Sequence, residues 1–546
     1  MNKVCRLFEG KMKMGTLWHN GTFFTLKQQG EAVDAVYVVD GKIVALGTKE
    51  TLLQQFKQDI TVIKDIKGGY VYPGFVDSHL HMVGHGEKLL SLDLSKATTS
   101  FEMREWLVQK AKDSTQHDWV LAEGWNENNF ADKKIFHRLE LDEISPNKPL
   151  YASRVCRHAA LVNTEALRRA GISRDTPDPQ GGVIERDQSG EPTGYLMDAA
   201  VDLIKEVMPP VDREYVYQAL KRSIEDLLAQ GITGGHTEDM NYYNGFSETI
   251  DVFQSLIHKD KFRFRTNLLV HHEQIDEMSR LGFGPGPLSD YLEIGSMKIF
   301  ADGALGGRTA LLSEPYSDDP DNSGVAMHSP EALKALVKKA RDYHMPVAIH
   351  VIGDAALEQA IAAVEEFPPI EGRDRFIHLQ VARPDLVNRL KPLQAILDLQ
   401  PRFVATDFPW VEDRLGPDRL PSSFAWKTLL DAGLHCAGGS DAPIEPPGPL
   451  LGMHAAITRR HPDEARHAGY LPEQKLSRFE AIQLFTSGSA YATGHEEKRG
   501  FISEGYDADF TVLTHNLFTC DIEEYLSAEV LMTIVDNTIM YKNEEK

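Results

Sequence analysis

His79 and His81 stand two residues apart at the end of the run Val71-Tyr72-Pro73-Gly74-Phe75-Val76-Asp77-Ser78-His79-Leu80-His81. On a strand, residues i and i+2 face the same way, so the two imidazoles project together while Leu80 faces away. Neutral imidazole is a common ligand of Zn, Fe, Ni and Cu, and a pair side by side suits one such ion. A bare H-x-H pair also arises by chance in a chain with 21 histidines. Four further positions sharpen the reading: Lys298 in SMKIFADGALGG, His350 in PVAIHVIGDAA, His378 in RFIHLQ and Asp441 in CAGGSDAP. Each falls at or near the end of an expected strand. Taken singly, His350 and His378 fit a buried structural role equally well. Asp441 alone fits a turn or helix cap before Ala-Pro. Lys298 is the least comfortable, because an ammonium amid Met, Ile and Phe needs a partner or a shifted pKa. Together, in the order H-x-H, Lys, His, His, Asp, they are hard to explain as coincidence.

The elements that must position these residues alternate between apolar runs and helix-like stretches. Candidate strands are 119–122, 150–153, 232–237, 264–270, 296–300, 347–351, 376–379 and 435–439, with helical pieces such as 213–230 and 330–344 between them. The alternation implies βα units and a parallel sheet. The expected fold class is α/β: a (β/α)8 barrel with insertions, whose strand C-termini carry the site. A doubly wound sheet shares the alternation, but no G-x-G-x-x-G stands at a strand-to-helix turn. In GGSDAP a carboxylate follows small residues, where backbone can approach closely.

The two ends of the chain read as β structure. Asp40-Gly41 between two apolar runs is a hairpin signal with a type I′ turn. Asn20-Gly21 precedes another run, and 505–513 and 530–541 give further short strands. Residues 173–195, rich in Gly, Pro and Asp, read as a long loop or an inserted hairpin.

Composition excludes some classes. The chain has 546 residues and a net charge of −23, which argues against a nucleic-acid or anionic-membrane partner. Cys5, Cys156, Cys436 and Cys520 form no C-x-x-C pair, so a reducing, cytoplasmic setting is expected. Neither an apolar signal region nor a run of about 18 apolar residues is visible. An oligomer is compatible with the chain, but nothing in it specifies an interface.

PGFVDSHLH resembles the first barrel strand of the amidohydrolase superfamily, and GYDADF resembles the segment where such chains return from barrel to β-sandwich. MKIFADGALGGRTA, RHAALVN, PQGGVIERDQSGEPTG and the length resemble its YtcJ-like branch, which includes N-substituted formamide deformylases. The resemblance implies a composite β-sandwich domain from residues 1–72 and 499–546, and a hydrolase barrel over 73–498. It also implies that His79, His81 and Asp441 bind one divalent metal, with zinc the first expectation, and that His350 and His378 bind or flank a second position. Lys298, carrying CO2 as a carbamate, would bridge the two. A metal lowers the pKa of bound water to about 7. Asp441 is then the expected general base and acid, and the metal or His378 polarises the carbonyl of a small-molecule amide or formamide. Expected substrate contacts are Trp125, Arg157, His158, Asp302 and Arg308; the last two also read as braces for their loop. Asp77 and His85 are expected to orient the histidine pair, and His236 to stand behind it. The rival readings are a deaminase or cyclic-amide hydrolase on the same site, and a binding protein that keeps the fold without catalysis.

Overall fold

The computed structural model describes residues 15–113, 119–154, 159–208 and 211–544. By packing they divide into two units: Val83–Arg222, and the residues before and after it.

The larger unit holds eight parallel strands in one sheet: β1 (Phe75–Leu80), β2 (Ile232–Thr237), β3 (Arg265–His271), β4 (Leu292–Phe300), β5 (Val347–Val351), β6 (Arg375–His378), β7 (Ile396–Leu399) and β8 (His435–Gly438). Every residue of β2 and β3 is buried, as expected of strands covered on both faces. The ring closes just past the ends of β8 and β1. There the Asp441 N–H donates to the His79 carbonyl and the His81 N–H to the Ala442 carbonyl, each at 2.7 Å. Gly439 makes this approach feasible: a Cβ on it would stand 2.6 Å from the His79 nitrogen.

Strands from both ends of the chain form a second sheet in this unit. Its seam is Tyr70–Pro73 antiparallel to Phe510–Leu513. The Asp40-Gly41 and Asp536-Asn537 turns both have two successive positive φ angles, as type I′ hairpins require. Trp18, Phe23, Val36, Val38, Phe510, Val512 and Ile534 pack into one core, joining residues some 500 positions apart in the chain.

The smaller unit has its own six-stranded sheet and core. It corrects two expected barrel strands: 119–122 and 150–153 lie largely within Val120–Trp125 and Leu150–Arg154, which pair with each other in this sheet. The βα alternation announces parallel strands but not the sheet they join. The barrel position absent from the expected strands is β7, a four-residue Ile-Leu-Asp-Leu strand without a histidine or turn motif. The stretch 173–195 contains most of a hairpin, Gly182–Arg186 with Pro192–Asp198. Among the described residues no helix is long and apolar enough to cross a membrane.

Candidate metal centre

β1 delivers His79 from its buried end and His81 one step beyond it. Asp441 comes from the opposite side of the closing seam. It has φ +59°, a left-handed conformation that Asp tolerates better than most residues, and its backbone bond to His79 fixes where the carboxylate points. Asp441 Oδ1 lies 3.4 Å from His79 Nε2 and 3.5 Å from His81 Nε2. The three donor atoms all stand within 4.8 Å of one another. Bonds of about 2.0–2.2 Å to one tetrahedral ion place its ligands roughly 3.3–3.6 Å apart, so this donor set fits a single ion.

Three more of the expected residues converge here. Lys298 Nζ, fully buried at the end of β4, lies 3.3 Å from His79 Nε2 and 4.4 Å from the centre of the Phe300 ring. The His378 ring stands 5.7 Å from that of His79 and 4.5 Å from that of His350. Burial keeps His79 and His350 neutral by pulling their pKa values well below the usual imidazole range, and it pulls His378 down to about 4. Burial also lowers Lys298.

The surrounding contacts orient these groups. His81 Nδ1 donates to the Glu238 carbonyl at 2.6 Å, which leaves Nε2 free to ligate. His350 is turned the other way. Its Nε2 donates to the Gly303 carbonyl at 3.1 Å, leaving Nδ1 free. Asp77 accepts the N–H groups of His79 and Ser440, tying β1 to the loop after β8. Burial outweighs these bonds and raises its pKa to about 7. His236 is buried on β2, at 3% exposure. Of the adjacent His271 and His272, the first is buried with its ring 5.9 Å from Phe300, and the second turns to His328.

The expected substrate contacts fare differently. Asp302 accepts the N–H groups of Leu311, Ile352 and Gly353, so its carboxylate braces the loop after β4. Arg308 forks onto Asp318 at 3.1 and 2.8 Å. Trp125 is a core residue of the smaller unit: its indole is fully buried and its N–H donates to the Ala152 carbonyl. Its position after a strand suggests a pocket residue, but that strand is not a barrel strand. His85 also belongs to the smaller unit. Arg157 and His158 lie outside the described residues.

One residue that sequence reasoning misses is Glu238. It follows β2 and is fully buried, with Oε2 3.7 Å from His81 Nδ1. The signal is present in GGHTED. His236 stands out there, and residue i+2 extends on the same side of the strand.

One pH effect follows from this geometry. Burial favours a neutral His81, but the hydrogen bond and charge of Asp441, with the charge of Glu238, outweigh it and raise its pKa to about 9. A pKa this high favours a protonated His81 at neutral pH, and a cation taking its Nε2 would have to displace that proton. Apparent metal affinity is expected to rise with pH from neutrality and to level off near pH 9. Competition with a chromophoric chelator measures this; a flat profile across that range would contradict the assignment of His81.

Residues 62–541 match the profile of the amidohydrolase family. YtcJ of Bacillus subtilis (strain 168) is 47% identical over 530 residues, 97% of this chain and 100% of its own. N-substituted formamide deformylase of Arthrobacter pascens is 26% identical over 542 residues, covering 96% of this chain and 97% of its own. A crystal structure of a metal-dependent hydrolase from Pyrococcus horikoshii OT3, itself uncharacterized, superposes with a TM-score of 0.75 at 28% identity. That match covers 93% of this chain and 99% of that one. With a ring of parallel strands whose ends gather His79, His81 and Asp441, and with this match over most of its length, the chain belongs to the amidohydrolase family and is a hydrolase.

Proposed function

We propose that the chain hydrolyses the C–N bond of a small-molecule amide, of the N-formyl or N-acyl type, at a divalent ion held by His79, His81 and Asp441. The observation that carries this reading is the convergence of two imidazole nitrogens and one carboxylate oxygen on a point that Lys298 also reaches. The full-length likeness to a formamide deformylase supports the substrate class. Two imidazoles and a carboxylate suit zinc among the divalent metals.

When bound, such an ion supplies Lewis acidity, lowering the pKa of water toward about 7. The chain's own groups do the rest. The Asp441 carboxylate, beside both histidines, accepts the proton of the attacking water and hands it to the leaving nitrogen. His378, kept neutral by burial, is suited to donate a hydrogen bond to the carbonyl oxygen as charge builds there. Lys298 serves as a buried ammonium beside His79 or, with CO2 added, would become an anionic carbamate able to help hold a cation.

The test is a panel of N-formyl and N-acyl amines, with cyclic amides and aminated heterocycles as comparison. Release of formate or acid from the first group is expected, lost on metal removal and restored by zinc. Turnover confined to the comparison compounds would replace the substrate assignment, and turnover surviving complete metal depletion would end the mechanism. Metal content per chain separates the two roles of Lys298. About two equivalents, together with the added mass of one CO2, are expected for the carbamate, and about one equivalent for the ammonium.

A further inference from the structure

We propose that Glu238 is a positioning and charge-balancing member of the metal centre, its buried carboxylate set behind His81, on the Nδ1 side, where it orients the imidazole and offsets the charge of the cation held by His79, His81 and Asp441. The inference rests on the metal site proposed above and adds an anionic group to it.

Glu238 is fully buried where β2 opens onto the site. Its main-chain carbonyl orients His81, and its carboxylate sits on the same side, with Oε2 3.7 Å from His81 Nδ1. The Tyr242 hydroxyl donates to Oε2 at 2.7 Å and clamps the group in place. Oε1 is buried and has no hydrogen-bond partner. Among the described residues His81 is the one ion-pair partner of this carboxylate. Lys298 is turned instead to His79 Nε2 and the Phe300 ring. A buried carboxylate oxygen without a partner is costly, and such groups are normally paired or coordinate a metal.

Charge counting points the same way. A divalent ion, the Lys298 ammonium and the Asp441 carboxylate leave two unbalanced positive charges in a buried site. Glu238 removes one of them. If Lys298 carries CO2 and a second ion is bound, the same carboxylate still offsets excess positive charge.

The experiment strips the full-length protein of metal and titrates it with Zn2+ alone against a competing chelator, with no substrate present. Glu238→Gln removes the charge at constant shape. It is expected to weaken zinc affinity by about 10-fold or more, with the melting temperature of the metal-free protein little changed. Glu238→Asp keeps the charge but withdraws it by one methylene, and is expected to fall between wild type and Glu238→Gln. Wild-type zinc affinity in Glu238→Gln, with Asp441→Asn clearly weakened, would overturn the role of Glu238 and leave the metal site standing. No zinc uptake by the wild-type chain would overturn both. Should Glu238→Gln fail to fold, Glu238→Asp decides: weakened affinity supports the assignment and wild-type affinity overturns it. Unchanged zinc affinity with a raised KM for cationic substrates would make Glu238 a substrate contact, which also overturns it.

Discussion

Asp441→Asn is expected to lower kcat by about 10²–10⁴-fold, the usual worth of a positioned general acid–base group. The fold should survive. Asparagine has the same shape and is among the residues most tolerant of the left-handed backbone found at this position. The contact that fixes the position is the bond from the Asp441 N–H to the His79 carbonyl, which does not involve the side chain. Two consequences separate from each other on measurement. The amide still offers an oxygen near His79 Nε2 and His81 Nε2, so metal binding weakens and is partly recovered at high zinc. The amide cannot accept a proton at neutral pH, so kcat stays low even at saturating metal. Steady-state kinetics on metal-loaded variant, with metal content measured on the same sample, reads both. Turnover near the wild-type rate in the loaded variant would remove Asp441 from the proton-transfer role.

Much of this centre is legible in the amino-acid sequence, because its chemistry is tied to strand ends. His79 and His81 declare a shared face by their i, i+2 spacing, and the fold brings both within reach of Asp441. Lys298 is conspicuous as a charge in an apolar strand, and it lies against His79. The hairpin at Asp40-Gly41 is readable because only certain residues accept two positive φ angles in succession. What is not legible has physical causes. The strands over 119–122 and 150–153 have the same pattern as barrel strands, and local pattern carries no information about which sheet a strand enters. β7 escapes notice because four residues with a central aspartate resemble a turn as much as a strand. Asp302 looks like a pocket residue from its place after Lys298. Three backbone N–H groups claim its carboxylate, and that depends on how the loop folds back. Glu238 is inconspicuous because an acidic residue after a strand is ordinary; only its complete burial marks it out.

Inside the barrel, the largest stability effect is expected from Arg375→Met. Arg375 is almost fully buried at the start of β6. Its Nε donates to Asp398 Oδ2 on β7 at 2.8 Å, and its Nη2 donates to the Ser78 carbonyl on β1 at 2.6 Å. One side chain thus ties three strands together across the interior, immediately before His79. Methionine fills much of the volume but leaves Asp398 as a buried, unpaired carboxylate, already short of a partner at Oδ1. Breaking a buried pair in this way costs about 3–5 kcal/mol, a loss of about 4–6 °C in melting temperature for a unit of this size. Adding Asp398→Asn removes the stranded charge, so the double variant is expected to regain part of the loss. Equal melting of the single variant and wild type would show the pair to be unimportant; a double variant worse than the single one would show that the charge is not the cause. The functional consequence follows from position. After burial and Lys298, the positive charge of Arg375 is among the influences that keep His79 neutral, and it also disfavours charge on Lys298. Arg375→Met therefore removes a brace from β1 immediately before His79. If the brace is what sets His79, metal affinity measured below the melting transition falls even where the variant remains folded, against the small gain that losing a nearby positive charge would bring; unchanged or higher affinity would show that the brace does not position His79.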